Sequence, residues 1–286
     1  MGVIRVIDSI LMLAGIGLAA GIFGAIFGLG GGMIVTPVLT LLLGVDIKYA
    51  IGASIIAVIA TSSGSTIAYL KDEMLNLRVG MFLEIATTIG AILGAVLTGI
   101  LPSSILYVLF GALLLFSTYN MIRKLRSGKE TVDDVTPDSL STKLKLNGYY
   151  YDNATGQQVN YQVSHVPGGF SMMLGAGVAS GLLGIGSGAF KVIAMDTIMK
   201  MPLKPSSATS NLMMGVTAAA SATVYFFNGS IQPAIAAPLA IGILLGALIG
   251  SRIMKRLRPR VLRMIFVPIL FYIGLQMFLK GLGVNI

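Results

Sequence analysis

The stretch Gly28-Leu29-Gly30-Gly31-Gly32, running on to Thr36-Pro37 inside apolar sequence, is met again 156 residues later as Gly184-Ile185-Gly186-Ser187-Gly188. The same shift pairs Gly21 with Gly177, Lys48 with Lys204, Ser54 with Ser210, Thr61 with Thr217, Ser65 with Ser221, Tyr69 with Tyr225, Gly90 with Gly246 and Gly94 with Gly250. No gap is needed from about residue 21 to about residue 101. A single offset sustained over that length marks a duplicated unit.

A chain of 286 residues that is 55% hydrophobic and only 11% charged has no means of covering a water-facing surface, so the sequence reads as a polytopic membrane protein. Its 36 Gly and 16 Met suit helices that approach closely in lipid. There is no Cys, hence no disulfide framework and no thiolate site. A net charge of +9 would suit a nucleic-acid binder, but in so apolar a chain it reads as a positive-inside bias, and nucleic acid is not an expected partner. The first apolar stretch ends in Gly17-Leu18-Ala19-Ala20-Gly21, which resembles a signal-peptide cleavage site. Gly21 belongs to the duplicated unit, so cleavage there would cut one copy and spare the other.

Apolar runs fall at about 9–27, 33–44, 49–70, 80–100 and 105–122, then at 168–186, 189–200, 205–227, 231–251 and 261–280. Most approach the roughly 20 residues needed to cross a bilayer, but 33–44 and 189–200 are nearer the length of a re-entrant piece. Each glycine loop is therefore expected at the tip of a hairpin that enters the membrane, turns near its middle and returns to the side it came from. One hairpin and three spans per half make an odd number of crossings, so the second half should lie inverted. The loop charges follow: Leu101-Pro102-Ser103-Ser104 is uncharged where its counterpart carries Arg252, Lys255, Arg256, Arg258, Arg260 and Arg263. Conversely, Lys71 and Arg78 flank a loop whose counterpart, Asn228 to Pro233, is uncharged. Basic loops inside put sixteen of the twenty Lys and Arg in the cytoplasm, leaving Arg5, Lys48 and Lys280 outside, Lys191 within the membrane and both termini outside.

The domain division is a first transmembrane repeat over 1–126, a polar cytoplasmic linker over 127–166 and a second, inverted repeat over 167–286. The polar region opens at about 123 with Arg123-Lys124-Leu125-Arg126 and holds Tyr149-Tyr150-Tyr151 and Val159-Asn160-Tyr161-Gln162-Val163 about Asp152 to Gly156, the pattern of a small β-hairpin cap. Asn153-Ala154-Thr155 has the form of a glycosylation acceptor but falls on the expected cytoplasmic face.

Irregular backbone at membrane depth is tolerated only where it is buried in protein or lines a cavity. Two glycine loops entering from opposite faces would meet near the midplane, each opening a short helix whose free N–H groups and positive dipole end suit an anion. The candidate anion-binding residues are Gly28, Gly30, Gly31 and Gly32 with Gly184, Gly186, Ser187 and Gly188. Lys191, on the first turn after the second loop, would add a positive charge, although its counterpart is Val35 and a pair with Asp196 or snorkelling would equally account for it. Ser54, Thr61, Ser210 and Asn211 sit at related positions in the third segments and could line a pathway or simply join helices. Glu84 and Asp196 are the acids well inside apolar segments and the candidates for proton coupling, though Glu84, about one turn from the end of its span, suits a solvated interfacial carboxylate as well. The one histidine, His165, lies in the linker, and no metal-ligand spacing or cofactor motif is present, so an enzyme is disfavoured.

With Gly28 to Gly32, Pro37, the echo at Gly184 to Gly188 and the two-fold repeat, the chain resembles the sulfite exporter TauE/SafE family, also called the toluenesulfonate uptake permease family. The resemblance covers nearly the whole chain apart from the linker. It departs at Ser187, where a glycine is expected, and at Ile193, where the proline would fall. It implies a membrane transporter of sulfur oxyanions or sulfonates in a prokaryotic inner membrane, and is specific for fold rather than cargo. The expectation is an all-α polytopic membrane protein of two inverted repeats that carries sulfite, thiosulfate or an organosulfonate by alternating access, with export slightly favoured and room for a homo-oligomer. A passive anion channel and a non-transporting scaffold are the alternatives.

Overall fold

A computed structural model of the chain describes residues 2–27, 30–70, 74–126, 136–152, 157–254 and 259–284. In chain order the elements are α1 (Gly2–Phe27), α2 (Gly32–Pro37) running into a π-helical turn (Val38–Leu42), α3 (Ile47–Leu70), α4 (Leu77–Ile100), α5 (Ser103–Arg126), α6 (Ser139–Lys143), β1 (Gly148–Asp152), β2 (Gln157–Tyr161), α7 (Val166–Leu183), α8 (Gly188–Ile193) with a second π-helical turn (Ala194–Ile198), α9 (Leu203–Phe227), α10 (Pro233–Met254) and α11 (Pro259–Gly281). The 156-residue shift carries α2 onto α8 and one π turn onto the other. Each π turn is closed by the same wide bond, Val45 N to Leu39 O in one and Met201 N to Met195 O in the other. Pro37 precedes the first turn and Ile193 the second. The widened geometry therefore does not need the missing N–H of a proline.

The chain is an all-α polytopic membrane protein. Among the described residues six helical stretches are long and apolar enough to cross a bilayer: Ser9–Ile26, Ile47–Ile67, Leu77–Ile100, Ser103–Arg123, Val166–Leu183 and Pro233–Ile253. On α4 the residues Met81, Ile85, Ile89, Leu93 and Ile100 form an exposed stripe that suits acyl chains. α9, although 25 residues long, is less apolar because it carries Ser206, Thr209, Ser210, Asn211, Thr217 and Ser221, all buried inside the bundle.

Helix pairing follows the duplication. α1 packs on α10 as α7 packs on α4, α3 and α9 cross at the centre, and α5 pairs with α11. The closest contacts are made by glycines: a β-carbon on Gly21 would strike the backbone of Ile243, and one on Gly177 would strike that of Thr87, two positions related by the same shift. Small residues here let backbones touch, which is how helices associate in lipid without a hydrophobic drive.

The first arm of each hairpin is long, Ser9–Ile26 and Val166–Leu183, in keeping with the apolar runs 9–27 and 168–186. α1 keeps parallel register with α10, Ala14 against Gly242, Leu18 against Gly246 and Ile22 against Gly250, so its last turn is level with the end of α10. The chain then doubles back, and Gly31 lies against Gly24, about one turn short of the end of α1, with Ala20 and Thr61 beside it. The glycine contacts continue along the long arm, and the short returning arm, α2 with its π turn, runs back beside it.

The polar linker forms a cap docked on one end of α4, α7 and α9. β1 and β2 pair antiparallel with Gly148 opposite Tyr161 and Asp152 opposite Gln157. Leu146, Tyr150, Tyr161 and Val163 share a core with Val79, Leu83, Met173, Met199 and Met213. Asn76 joins the two: its carboxamide accepts from Val79 N at the start of α4 and donates to Leu146 O and Tyr161 Oη, both at 2.9 Å. Burial pushes the Tyr161 phenol up to about 12 against the weaker opposing pull of the Asn76 bond, so it stays neutral. Asp138 caps α6 through Ser141 N and holds Val166 N, the first helical amide of α7, at 2.9 Å. The Asn153-Ala154-Thr155 triplet, Gly28 and the basic residues Lys255, Arg256 and Arg258 lie outside the described residues.

Candidate functional site

The two glycine loops touch each other. A β-carbon on Gly32 would fall 2.5 Å from Ser54 Oγ and collide with the carbonyl of Gly184, so only glycine allows this approach. Ser54 Oγ donates to that same Gly184 carbonyl at 2.5 Å, tying α3 of the first half to the loop of the second. Gly30 and Gly186, related by the shift, have φ of +72° and +71°, a left-handed turn in both copies. Ser210 Oγ donates to Gly188 O at 3.1 Å, and Asn211 is held by Ser62 Oγ on its carbonyl and by its own bond to Ser207 O. These hydroxyls and amides therefore anchor the loops and join α3 to α9. The contact-forming part of the candidate set is Gly30, Gly32, Ser54, Gly184 and Gly186.

The copies differ at the residue that opens the short helix. Gly31 is right-handed, and its N–H donates to Thr61 Oγ1 at 3.2 Å. Ser187 occupies the related position with φ +45°, a strained value for a residue with a side chain, and its hydroxyl is buried without a partner. Thr217 matches Thr61 and makes the same bond back along its helix, to Met213 O at 2.8 Å as Thr61 does to Ala57 O at 2.9 Å. Its oxygen, however, receives the ammonium of Lys191 at 2.5 Å. On its other side the Thr217 hydroxyl lies 2.6 Å from Glu84 Oε1, which also accepts from Thr88 at 3.2 Å.

Lys191, Thr217 and Glu84 thus form a chain from ammonium through hydroxyl to carboxylate, drawn from α8, α9 and α4. Lys191 is fully buried and Glu84 is 8% exposed. At about 5 Å and an effective dielectric near 20, such opposite charges attract by about 3 kcal/mol, which offsets part of the several kcal/mol that burying each ion costs. The carboxylate is only half satisfied, since Glu84 Oε2 is buried with no hydrogen-bond partner. Glu84 stands two turns inside α4 under the linker core that contains Leu83, not at a solvated helix end as the apolar run alone would allow. Asp196 sits half-buried on the second π-helical turn.

The sequence marks these residues singly without joining them. The available signal is in the offset: 156 residues from Glu84 stands Ala240, and 156 before Lys191 stands Val35. Two opposite charges, each unmatched by the duplication, are candidates to face one another. A second buried polar cluster also lies outside the sequence-derived set: Tyr225 Oη bonds Thr98 Oγ1 at 2.8 Å and Gly181 O at 2.7 Å, one turn before the second loop. Beyond it a cleft of about 800 Å³, lined by residues that include Asp46, Lys48, Gly99, Asn228 and Ser230, opens where α3 begins and α4 and α9 end. Lys48 Nζ is held there by Gly99 O at 3.1 Å.

Comparison with known proteins agrees with this architecture. The chain is 26% identical over 281 residues to the probable membrane transporter protein YunE of Bacillus subtilis, covering 96% of this chain and 99% of that one. It is 25% identical over 237 residues to the probable membrane transporter protein YdhB of the same organism, covering 82% and 84%. A probable membrane transporter protein of Methanocaldococcus jannaschii is 25% identical over 281 residues, covering 92% and 93%. No solved structure matches. The family profile described as Sulfite exporter TauE/SafE matches residues 13–277, nearly the whole chain and both glycine loops, and the protein belongs to that family of membrane transporters.

Proposed function

We propose that this chain is a secondary transporter that binds one small sulfur-containing anion, sulfite, thiosulfate or an organosulfonate, where the two glycine loops meet, and exposes it alternately to either side. The observation that carries the reading is Lys191: a fully buried ammonium at the foot of one loop, balanced by a half-satisfied carboxylate. A buried cation with a replaceable counter-charge is a site for an anion. Ser187 Oγ, buried without a partner four residues before Lys191, adds a donor. In this reading the halves lie inverted in the inner membrane, with the basic loops and the 123–166 cap cytoplasmic and both termini outside. Glu84 is buried and available as a counter-charge, so direction follows from what moves with the anion rather than from the slight lean toward export.

The test is exchange in proteoliposomes. Purified protein loaded with unlabelled thiosulfate, sulfite or methanesulfonate should take up the labelled form of at least one of them saturably, with chloride a poor competitor. Losing a hydrogen bond to a charged group costs about 1.5–3 kcal/mol, so K191A should weaken binding by about tenfold to a hundredfold. Linear, non-saturating flux without exchange would identify a channel, and no flux of any of the three from folded protein would overturn the substrate class.

A further inference from the structure

We propose that Glu84 is a proton-binding site that fills together with an anion at Lys191, so that the protein moves one proton with each monoanion. The inference rests on the transporter reading above and gives its coupling ion. Lys191 and Glu84 are joined through the Thr217 hydroxyl, and as ammonium and carboxylate they carry no net charge. An anion arriving at Lys191 would leave two negative charges against one positive in a place where Lys191 is fully buried. A net charge there is costly, whereas the same site with Glu84 protonated and the anion on Lys191 is again neutral. Proton alone and anion alone are both disfavoured, and the two bind as a pair. The atoms balance simply: the proton goes to a Glu84 oxygen, no bond of the anion breaks, and the Thr217 hydroxyl turns from Glu84 toward its other acceptor, Met213 O, or toward the anion. Glu84 Oε2, buried and unpartnered, is a free position for that proton.

Among the described residues, the titratable groups on the elements packed around Glu84 are these: Asp196 stands half-buried on the π-helical turn that follows the Lys191 helix. α7 carries none between Val166 and Leu183. On α9 Lys204 stands at the first turn, 13 residues before Thr217, and Tyr225 is committed to Thr98 and Gly181. From the cap, Tyr161 is held by Asn76, with Tyr150 beside it, and Asp138 by two backbone amides. On α4 itself Arg78 is exposed and bonded to Lys145 O. The duplication supplies no second copy, since Ala240 and Val35 occupy the related positions.

The experiment uses methanesulfonate, a strong acid that stays ionised throughout the working pH range, so that any proton carried is carried by the protein. In wild-type proteoliposomes containing a pH dye, adding external methanesulfonate should acidify the lumen by one proton per anion. A gradient of one pH unit, acid outside, should hold about a tenfold internal excess of the anion. A potassium diffusion potential should leave the rate unchanged, because the loaded site is neutral. E84Q, which mimics the protonated carboxyl, should still exchange labelled for unlabelled methanesulfonate but no longer accumulate it under the gradient. Wild-type exchange without lumenal acidification overturns the proposal while leaving the transporter reading intact; absence of any exchange overturns both. E84Q that accumulates like wild type, or that is folded and exchanges nothing, also overturns it. Should E84Q not fold, E84D keeps a titratable group one methylene shorter and should shift the pH of half-maximal flux; an unmoved profile contradicts the proposal.

Discussion

The first glycine loop and the second occupy equivalent places in the duplicated fold, yet one is closed by neutral hydrogen bonds and the other carries charge. In the first, Thr61 caps the Gly31 amide, and the positions corresponding to the ion pair hold Val35 and Ala240. In the second, the matching threonine bridges Lys191 and Glu84, and Ser187 takes a strained left-handed turn. The left-handed turn at Gly30 and Gly186 is common to both copies, whereas the next residue, Gly31 or Ser187, and the buried charges differ.

The comparison can be broken most forcefully by removing one charge. K191A leaves Glu84 buried and unpaired and should destabilise the protein by about 3–5 kcal/mol, with K191A/E84A recovering much of that. A double-mutant cycle from chemical unfolding in detergent measures it, and additive losses would mean that the pair is not coupled. T61V and T217V come next. T61V strips the bond from the buried Gly31 amide and should cost about 1–3 kcal/mol while leaving anion affinity alone. T217V should lower stability by a similar amount and weaken thiosulfate binding as well, so equal effects of the two on binding would erase the distinction between the loops. N76A, which loses the amide cap of α4 and its two bonds to the linker, should cost about 1–2 kcal/mol and loosen the cap over Glu84. Faster hydrogen exchange at 77–80 checks it. The smallest effect is S187G, which makes the second loop like the first: relief of the left-handed strain should stabilise by about 1 kcal/mol while anion affinity falls, seen as a raised melting temperature with a weakened Kd.

Much of this was legible in the sequence, because duplication and apolar run length are long-range regularities that survive without contacts. The offset of 156 located both loops, the short helices after them and the polar faces of α3 and α9. The apolar run 9–27 matches the span Ser9–Ile26, but that its glycines form the contact surface for α10 was not legible, because the partner lies more than 200 residues away. The pairing of Lys191 with Glu84 was not read because 107 residues separate them and no helical or strand period links such positions. It is the exceptions to the repeat, rather than the repeat, that mark the chemistry.

The most direct measurement is equilibrium binding of labelled thiosulfate to the purified protein, comparing wild type with K191A and T61V. One saturable site per chain, weakened by about tenfold or more in K191A and retained in T61V, is the expected result. Two sites per chain, or one whose Kd K191A leaves unmoved, would contradict the assignment of the anion to the charged loop.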